Sequence, residues 1–417
     1  MIVSRWEMDL LHQVPLNTKD ISQEFLNIDN KERSNPLAWN GQFSPQLVEI
    51  LLKTYAEANT TVLDPFAGSG TLLHEAAICG LSAVGVDINP AACYLARLHT
   101  LANRKPPARA NLVMQLDRVL PDLLGSDLPL FGKNDSADFR RECAVKVRKT
   151  LAGKSDVSEV LESLLILSDF LKEGHSSKDI ALAWKKLRSI ILNFPYSPRP
   201  LKVFNCDARC LPVESAAVGL VVTSPPYINV FNYHQNYRAS TEAFGWDLLS
   251  VAKSEIGSNR KNRGNRFLTV TQYCLDIAQV FLELTRVCAK DCRIIFVVGR
   301  ESQVLGVPFY NGMVISKLAT RAVGCKLLTR QERVFKNRFG QSIYEDILHF
   351  TPPTNISASS FNESRRIAYD ALKDGLRVAD EDVKSDLEAA VEHVAEIEPS
   401  PIYDPRAARS TIGMPED

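Results

Sequence analysis

The feature that most constrains the fold is a run of alternating strand and helix signals that starts at residue 61. The short apolar run TVLD (61–64) breaks into the glycine-rich turn PFAGSG (65–70), a helical segment follows, and a second apolar run ends in Asp87. A strand, a glycine-rich turn, a helix and a second strand that ends in an acid open a doubly wound α/β sheet. The sequence therefore predicts an α/β fold built on a Rossmann-like sheet.

Further periodic segments extend this sheet toward the end of the chain. Strand signals resume in LKVFNCDA (201–208), VGLVVTSPPY (218–227) and CRIIFVVG (292–299). Helical spacing of apolar residues predicts helices at 44–58 and 271–287. The last pair of apolar runs, RQERVFK (330–336) and SIYEDILHF (342–350), predicts two antiparallel strands around a turn at Asn337–Gly340.

Two regions fall outside the α/β pattern. Residues 104–199 contain VSEVLESLLILSDFLKE (157–173), whose apolar residues share one helical face, so the region reads as a helical insertion. After residue 352 the chain becomes Ser-rich, then acidic and helical. We therefore predict an α/β core over 1–103 and 200–352, a helical insertion over 104–199 and an acidic helical tail over 353–417.

Composition excludes several classes of protein. Apolar residues make up 45% of the chain, which is enough for a core, and 49 Lys and Arg balance 49 Asp and Glu, so this is no polybasic wrapper of nucleic acid. Residues 351–417 hold 14 acids and 7 bases, which leaves a formal +7 on the first 350. The absence of a long apolar run predicts a cytoplasmic protein without a membrane span. Nine cysteines without a CxxC pair or a neighbouring His cluster predict reduced thiols and no metal site.

The first chemical motif is DPFAGSG (64–70). Small residues let backbone N–H groups approach a ligand at the start of a helix. A dinucleotide fingerprint requires a third glycine where this chain has Leu73. Asp64 before the turn repels a pyrophosphate but suits a ligand with a positively charged amino acid, and Asp87 is placed to accept hydrogen bonds from a ribose diol.

The second motif is TSPPY (223–227), at the end of an apolar strand. Two prolines fix a rigid corner and leave backbone carbonyls without competing N–H neighbours. An aromatic amino group is a poor nucleophile because its lone pair is delocalised, and acceptors aimed at its two N–H bonds free that lone pair. Ser224 Oγ and the carbonyls of Ser224 and Pro225 are the candidate acceptors, while Pro226 completes the corner and Tyr227 is placed to stack on a base.

DPFAGSG and Asp87 resemble the cofactor loop and the ribose-binding acid of class I S-adenosylmethionine-dependent methyltransferases. With TSPPY, they resemble the DNA amino-methyltransferases, which share a (Ser/Asp/Asn)-Pro-Pro-Tyr tetrapeptide. The Ser form is similar to the cytosine-N4 branch, whereas Asp and Asn forms are typical of adenine-N6 enzymes. The resemblance covers roughly residues 36–100 and 200–352, and implies a class I methyltransferase fold: a doubly wound sheet with an antiparallel C-terminal strand.

The resemblance also implies S-adenosylmethionine as the cofactor. Phe43 in QFSP corresponds to a Phe that lies against the cofactor, and Asp207 in CDAR to an Asp that approaches the adenine ring. The cofactor residues it implies are Phe43, Asp64, Phe66, Ala67, Gly68, Ser69, Gly70, Asp87, Ile88, Asp207 and Ala208. The insertion at 104–199 is the candidate region for DNA and target recognition, although its position matches none of the family's common motif orders.

A third signal is electrostatic. KSEIGSNRKNRGNR (253–266), whose start resembles a family stretch that follows the catalytic loop, holds five bases and one acid. Such a segment is predicted to be a loop too polar to pack, which follows a phosphate backbone. The candidate DNA contacts are Arg260, Lys261, Arg263 and Arg266. Aromatics in 227–238 either line a pocket for a flipped base or pack, and His234 is a candidate substrate contact.

These features predict a DNA methyltransferase that acts on the exocyclic N4 of a flipped cytosine in double-stranded DNA, as in restriction–modification. Adenine-N6 methylation, methylation of RNA or protein, and a catalytically silent module that binds DNA or cofactor remain alternatives. The acidic tail is left for packing or for self-association in a homodimer.

Overall fold

The computed structural model describes residues 14–39, 41–124, 138, 155–228, 232–258, 262, 264–337, 339–354 and 361–409. Its strands are β1 (Thr61–Asp64), β2 (Ser82–Asp87), β3 (Leu201–Asn205), β4 (Val218–Thr223), β5 (Cys288–Gly299), β6 (Glu301–Val304), β7 (Val307–Tyr310), β8 (Lys326–Lys336) and β9 (Ser342–Thr351). The helices before the third strand are α1 (Gln23–Asn27), α2 (Pro45–Tyr55), α3 (Thr71–Ile78), α4 (Pro90–Leu98), α5 (Pro106–Leu124), α6 (Ser155–Leu167) and α7 (Ser177–Asn193). The later helices are α8 (Arg238–Glu242), α9 (Leu248–Ser254), α10 (Leu268–Val287), α11 (Asn311–Lys317), α12 (Phe361–Gly375) and α13 (Glu381–Glu392).

Seven strands form one sheet in the order β3-β2-β1-β4-β5-β9-β8. Strands β1 to β5 are parallel, and β9 runs antiparallel to both β5 and β8. The chain winds outward from β1 to β3 and then returns to place β4 on the other side of β1. The carboxyl ends of β1 and β4 are therefore the switch point, where open α/β sheets form a ligand crevice. The predicted doubly wound sheet with an antiparallel C-terminal strand is confirmed.

Alternating strand residues build a core on each face of this sheet. Leu220 and Val222 of β4 belong to one apolar cluster with α2 and α3, whereas Val221 between them belongs to a second cluster with α10. All three side chains are fully buried. Strands covered on both faces read as continuous apolar runs, which explains the unbroken VGLVV signal.

The described part of the insertion is helical, as the sequence predicts. Helices α5, α6 and α7 pack on one another, and α6 packs on α4, around a third apolar cluster that includes Leu95, Leu98, Leu161 and Leu164. The predicted helix at 157–173 is shorter than expected: α6 ends at Leu167, because Asp169 takes a left-handed conformation with φ 45°. The basic stretch FRRECAVKVRKTLAGK (139–154), a further candidate from the sequence for contact with nucleic acid, lies outside the described residues.

The acidic tail shares the core of the sheet. Ile367, Ala368 and Leu372 of α12, and Leu387 of α13, belong to the same cluster as β5 and α10. These positions form one helical face, while the acids occupy the solvent side. Removal of the tail would therefore expose part of the core. A chain truncated at residue 352 would lose packing as well as the tail's negative charge.

Some elements carry no strong sequence signal. The hairpin of β6 and β7 is formed by two four-residue strands, and β5 starts at Cys288 rather than at the predicted Cys292.

None of the helices in the described ranges is long and apolar enough to cross a membrane.

Candidate active site

An open cleft lies at the switch point, where β1, β2 and β4 end. It gathers residues that lie far apart in the sequence, because parallel strands deliver their carboxyl ends to one edge of the sheet. The predicted residues that line it are Phe43, Asp64, Phe66, Ala67, Gly68, Ser69, Asp87, Ile88, Asp207, Ala208, Ser224 and Pro226. Gly70, Pro225 and Tyr227 are not among its lining residues.

The glycine loop takes a conformation that its glycines permit. Gly68 and Gly70 have φ of 51° and 89°, in the left-handed region where glycine is favoured. A Cβ on Gly70 would lie 2.7 Å from His99 Cδ2 and 3.0 Å from Ala96 Cα. The loop therefore lies directly on α4 and the turn after it. Although Gly70 stands behind the cleft, it sets the loop's path.

Asp64 joins the loop to the second motif. Its Oδ1 accepts hydrogen bonds from Phe66 N at 3.0 Å and from Thr223 Oγ1 at 2.6 Å. Burial raises the pKa of this carboxyl to about 7, against the effect of these two bonds. Both bonds use Oδ1, so the carboxyl keeps acceptor capacity for a ligand, and Thr223 stands next to the Ser224 corner.

Asp87 sits at the end of β2, in contact with the glycine loop. Its Oδ2 accepts from Gly68 N at 2.9 Å and its Oδ1 from Asn89 N at 2.8 Å. Burial raises the pKa of the carboxyl to about 6. Each oxygen can accept a second bond, so the carboxylate can take both hydroxyls of a ribose diol.

Asp207 lines the cleft with its carboxylate already occupied. Its Oδ1 accepts from Arg209 N and Arg209 Nε, both at 2.9 Å, while its Oδ2 accepts from Arg209 Nη2 at 2.7 Å and from Tyr403 N at 2.9 Å. Four hydrogen bonds fill the lone pairs of a carboxylate. Asp207 therefore shapes the cleft wall, and the neighbouring Ala208 supplies an apolar surface there.

Several lining residues are not among the cofactor or catalytic residues predicted from the sequence. They are Trp39, Gln42, Asn89, Tyr233, Ser254, Glu255 and Ile256. Trp39 covers the glycine loop, since its ring would lie 3.1 Å from a Cβ on Gly68. Gln42 donates to Ser69 Oγ at 2.6 Å. Gln42 belongs to QFSP and Trp39 lies just before it, so this motif is the one signal that could have pointed to these two residues.

The TSPPY corner is tightly held. Ser224 Oγ and Tyr227 OH lie 3.2 Å apart, within hydrogen-bond distance. The Tyr227 ring lies against Gly299, where an added Cβ would be 3.2 Å from Tyr227 Cε2. The backbone carbonyl oxygen of Tyr227 lies against Gly257, where an added Cβ would be 2.6 Å away. Burial raises the pKa of Tyr227 to about 12, so its hydroxyl stays neutral. Because Gly257 and Gly299 have no side chain, the backbone at both positions can pack closely against Tyr227.

The segment after this corner differs from its prediction. Residues 254–258 are buried, whereas the whole of 253–266 was predicted to be too polar to pack. Glu255 Oε2 pairs with His234 Nδ1 at 2.6 Å, and Oε1 accepts from His234 N at 3.0 Å. The prediction is wrong for these residues because Glu255 finds a buried partner and Gly257 fits against Tyr227. His234 is fully buried in this pair, away from the cleft lining.

The candidate DNA contacts lie largely outside the described residues. Arg260, Lys261 and Arg263 are outside them, and Arg266 is exposed just before α10. Among described residues, no group of three or more His, Cys, Asp or Glu is placed to hold a metal ion.

Taken together, the cleft fits a nucleoside that carries a cationic amino acid. Asp64 suits the ammonium group, Asp87 suits the diol, and Phe43, Ile88 and Ala208 offer apolar surface to a base. The doubly wound sheet with its antiparallel C-terminal strand is the fold that the sequence resemblance implied, and S-adenosylmethionine has these three parts.

Comparison with known proteins places one part of the chain. Residues 6–98 match a family model described as DNA methylase, of the N6/N4 type. A segment of 75 residues is 36% identical to the type II methyltransferase M.MjaII of Methanocaldococcus jannaschii. This segment makes up 17% of this chain and 14% of the relative.

Solved structures overlap with the chain at low scores. A SAM-dependent methyltransferase from Methanosarcina mazei is 11% identical with a TM-score of 0.33, over 73% of this chain and 98% of that one. An rRNA methyltransferase from Streptomyces viridochromogenes is 13% identical with a TM-score of 0.27, over 75% and 88%. The stretch that carries the glycine loop and Asp87, residues 6–98, thus matches the N6/N4 DNA methylase family.

Proposed function

We propose that the chain is an S-adenosylmethionine-dependent DNA methyltransferase that modifies the exocyclic N4 of a flipped cytosine, as in restriction–modification. The hydrogen bond from Thr223 to Asp64 carries this proposal, because it joins the TSPPY corner to the cofactor loop. An acceptor corner and a methyl-donor site with a common wall suit a direct transfer to an amino group.

The corner's task is to prepare the amino group. Ser224 Oγ and the carbonyls of Ser224 and Pro225 accept its two N–H bonds, which shifts the nitrogen toward a tetrahedral form with a free lone pair. S-adenosylmethionine supplies the electrophilic methyl group when it is bound. The chain's contribution is chiefly to hold the two reactants in line and close together.

The target base must leave the duplex, because its amino group is out of reach inside the stack. Flipping costs a few kcal/mol, and stacking on an aromatic ring returns about 1–3 kcal/mol. Tyr227 is the proposed ring. His234 is committed to Glu255, so we assign it a structural role rather than contact with the substrate.

The helical insertion remains our candidate for target recognition. It packs on α4, which begins at Pro90, directly after Asp87 and Asn89 of the cleft. A subdomain on that helix is well placed to contact DNA beside a flipped base.

The decisive test is the modified nucleoside. Genomic or plasmid DNA incubated with the chain and isotope-labelled S-adenosylmethionine should yield N4-methylcytosine by mass spectrometry. N6-methyladenine alone would move the chain to the adenine branch, label in RNA or protein would change the substrate class, and no label in any of them would favour a silent binding module.

Cofactor affinity should fall as the pH drops below about 7. The ammonium group of the cofactor needs the Asp64 carboxylate, and burial holds its pKa at about 7, so binding must expel a proton at lower pH. The affinity loss approaches about tenfold per pH unit well below that pKa. Calorimetry from pH 8.5 to 5.5 checks this.

Asp64→Asn is the control for this pH dependence. It should bind weakly and almost independently of pH down to about 6, where the pKa of Asp87 begins to contribute. A wild-type affinity that stays constant across the whole range would contradict the role of Asp64.

The basic segment 260–266 should determine the salt dependence of DNA binding. Each lost phosphate contact lowers the slope of log affinity against log salt by about one unit. Replacing Arg260, Lys261, Arg263 and Arg266 by Gln should therefore flatten the slope strongly, as measured by fluorescence anisotropy with duplex DNA. An unchanged slope would place the DNA contacts elsewhere.

A further inference from the structure

The last described segment, residues 398–409, packs behind the cofactor cleft, and we call it the carboxyl-terminal strap. Three of its side chains are buried: Ser400, Tyr403 and Ala408, with exposed fractions of 5%, 4% and 0%. Ile402 between them is 50% exposed. The strap is thus held at separate anchors rather than along a continuous apolar face.

The first anchor is a buried ion network. Ser400 N and Ser400 Oγ donate to Asp276 at 2.8 and 2.7 Å, and Arg209 Nη1 donates to Ser400 O at 2.8 Å. Arg209 also pairs with Asp276 at 2.9 Å, with both side chains fully buried. Asp276 does not line the cleft, and this anchor reaches the lining residue Asp207 only through Arg209.

The second anchor leads into the cleft. Tyr403 OH donates to Asn205 Oδ1 at 2.7 Å. The amide of Asn205 in turn donates to the carbonyl oxygens of Asp87 and Ile88, each at 2.9 Å. A chain of hydrogen bonds therefore runs from the strap to two cleft residues, Asp87 at the end of β2 and Ile88 directly after it.

The ring of Tyr403 strengthens this link. It belongs to a small apolar cluster with Leu248, Val251 and Ala408, against which Ile88 packs. The strap thus shares an apolar cluster with Ile88 and reaches the carbonyl of Ile88 through Asn205. Tyr403 and Asn205 are 198 residues apart in the sequence, so no local motif reveals the connection between them.

We propose that Tyr403 is a positioning residue of the cofactor site: its hydroxyl orients Asn205, which fixes the turn from which Asp87 presents its carboxylate to the ribose. This inference rests on the proposed function, because it assigns the ribose to Asp87. The acidic tail thereby acquires a role beyond packing, as one wall support of the methyl-donor cleft.

The test compares two full-length variants that each lose one hydroxyl. Tyr403→Phe removes the bond to Asn205 and keeps the ring, while Ser400→Ala removes the matched bond to Asp276. One hydrogen bond corresponds to about a two- to tenfold change in an equilibrium constant. We expect Tyr403→Phe to weaken S-adenosylmethionine binding by that factor and to raise its KM without lowering kcat, whereas Ser400→Ala shifts only the melting temperature.

Wild-type affinity in Tyr403→Phe, or an equal loss of affinity in Ser400→Ala, would overturn the proposal. Hydrogen exchange without cofactor gives an independent readout, because Asn89 N donates to the Asp87 carboxylate and Cys206 N to its carbonyl. Both amides should exchange faster in Tyr403→Phe than in Ser400→Ala. If the wild-type chain binds no S-adenosylmethionine, the proposed function fails, while unchanged exchange shows that Tyr403 does not hold the turn.

Discussion

Tyr227→Ala should slow methyl transfer to DNA by about 5- to 150-fold, which corresponds to the 1–3 kcal/mol of base stacking on an aromatic ring. Cofactor affinity should stay within about twofold, an effect below about 0.5 kcal/mol, because Tyr227 is not a lining residue of the cofactor cleft. Single-turnover kinetics with duplex DNA and calorimetry with S-adenosylmethionine separate the two effects.

Tyr227→Phe is the matched control. It keeps the ring against Gly299 and removes the hydroxyl that lies 3.2 Å from Ser224 Oγ. We expect a smaller loss of rate, by about two- to tenfold, since a single hydrogen bond that positions Ser224 is removed. If Tyr227→Ala transfers methyl groups at the wild-type rate, the ring does not hold the flipped base.

The central sheet and the opening of the site were predictable because their signals are local. DPFAGSG places a glycine-rich turn directly at the end of one strand, and Asp87 places an acid at the end of the next. The parallel topology then brings these strand ends together. The TSPPY corner is equally local. These three motifs supply a little under half of the cleft lining that the structure shows.

The parts that the sequence left undetermined depend on distant partners. Asp207 fits a motif, but its carboxylate is filled by Arg209 and by Tyr403, 196 residues further along. Glu255 looks like one acid in a basic loop until His234 is found opposite it. Pairing across such separations follows from tertiary packing, which single-sequence patterns do not encode.

The acidic tail shows the same limit in another form. Its net charge predicts repulsion from DNA, and charge says nothing about which helical face is apolar. Ile367, Ala368 and Leu372 place α12 in the core beside α10, so the charge lies on the outer side of a structural element. Periodicity, more than composition, was the informative signal there.

Gly257→Ala should disable the catalytic corner while the matched variant Gly264→Ala leaves it intact. Gly257 has φ 74°, and its added Cβ would lie 2.6 Å from the backbone carbonyl oxygen of Tyr227. A left-handed conformation costs an alanine about 1–2 kcal/mol, and the clash is with backbone, so the corner itself must move. Displacement of a reacting group by about 1 Å can lower a rate by about a hundredfold.

Gly264 lies in the same segment with open space where its Cβ would be, so Gly264→Ala should methylate DNA at the wild-type rate. Circular dichroism and thermal melting of both variants establish that they fold, and calorimetry reports whether the cofactor cleft survives. We expect Gly257→Ala to bind S-adenosylmethionine within a few-fold of wild type, because the contact it disturbs is with Tyr227 rather than with Asp64 or Asp87. A folded Gly257→Ala variant that methylates DNA normally would show that the close approach to Tyr227 is irrelevant to the chemistry. A rate loss confined to this variant would instead identify the buried segment 254–258 as the support that holds the corner in place.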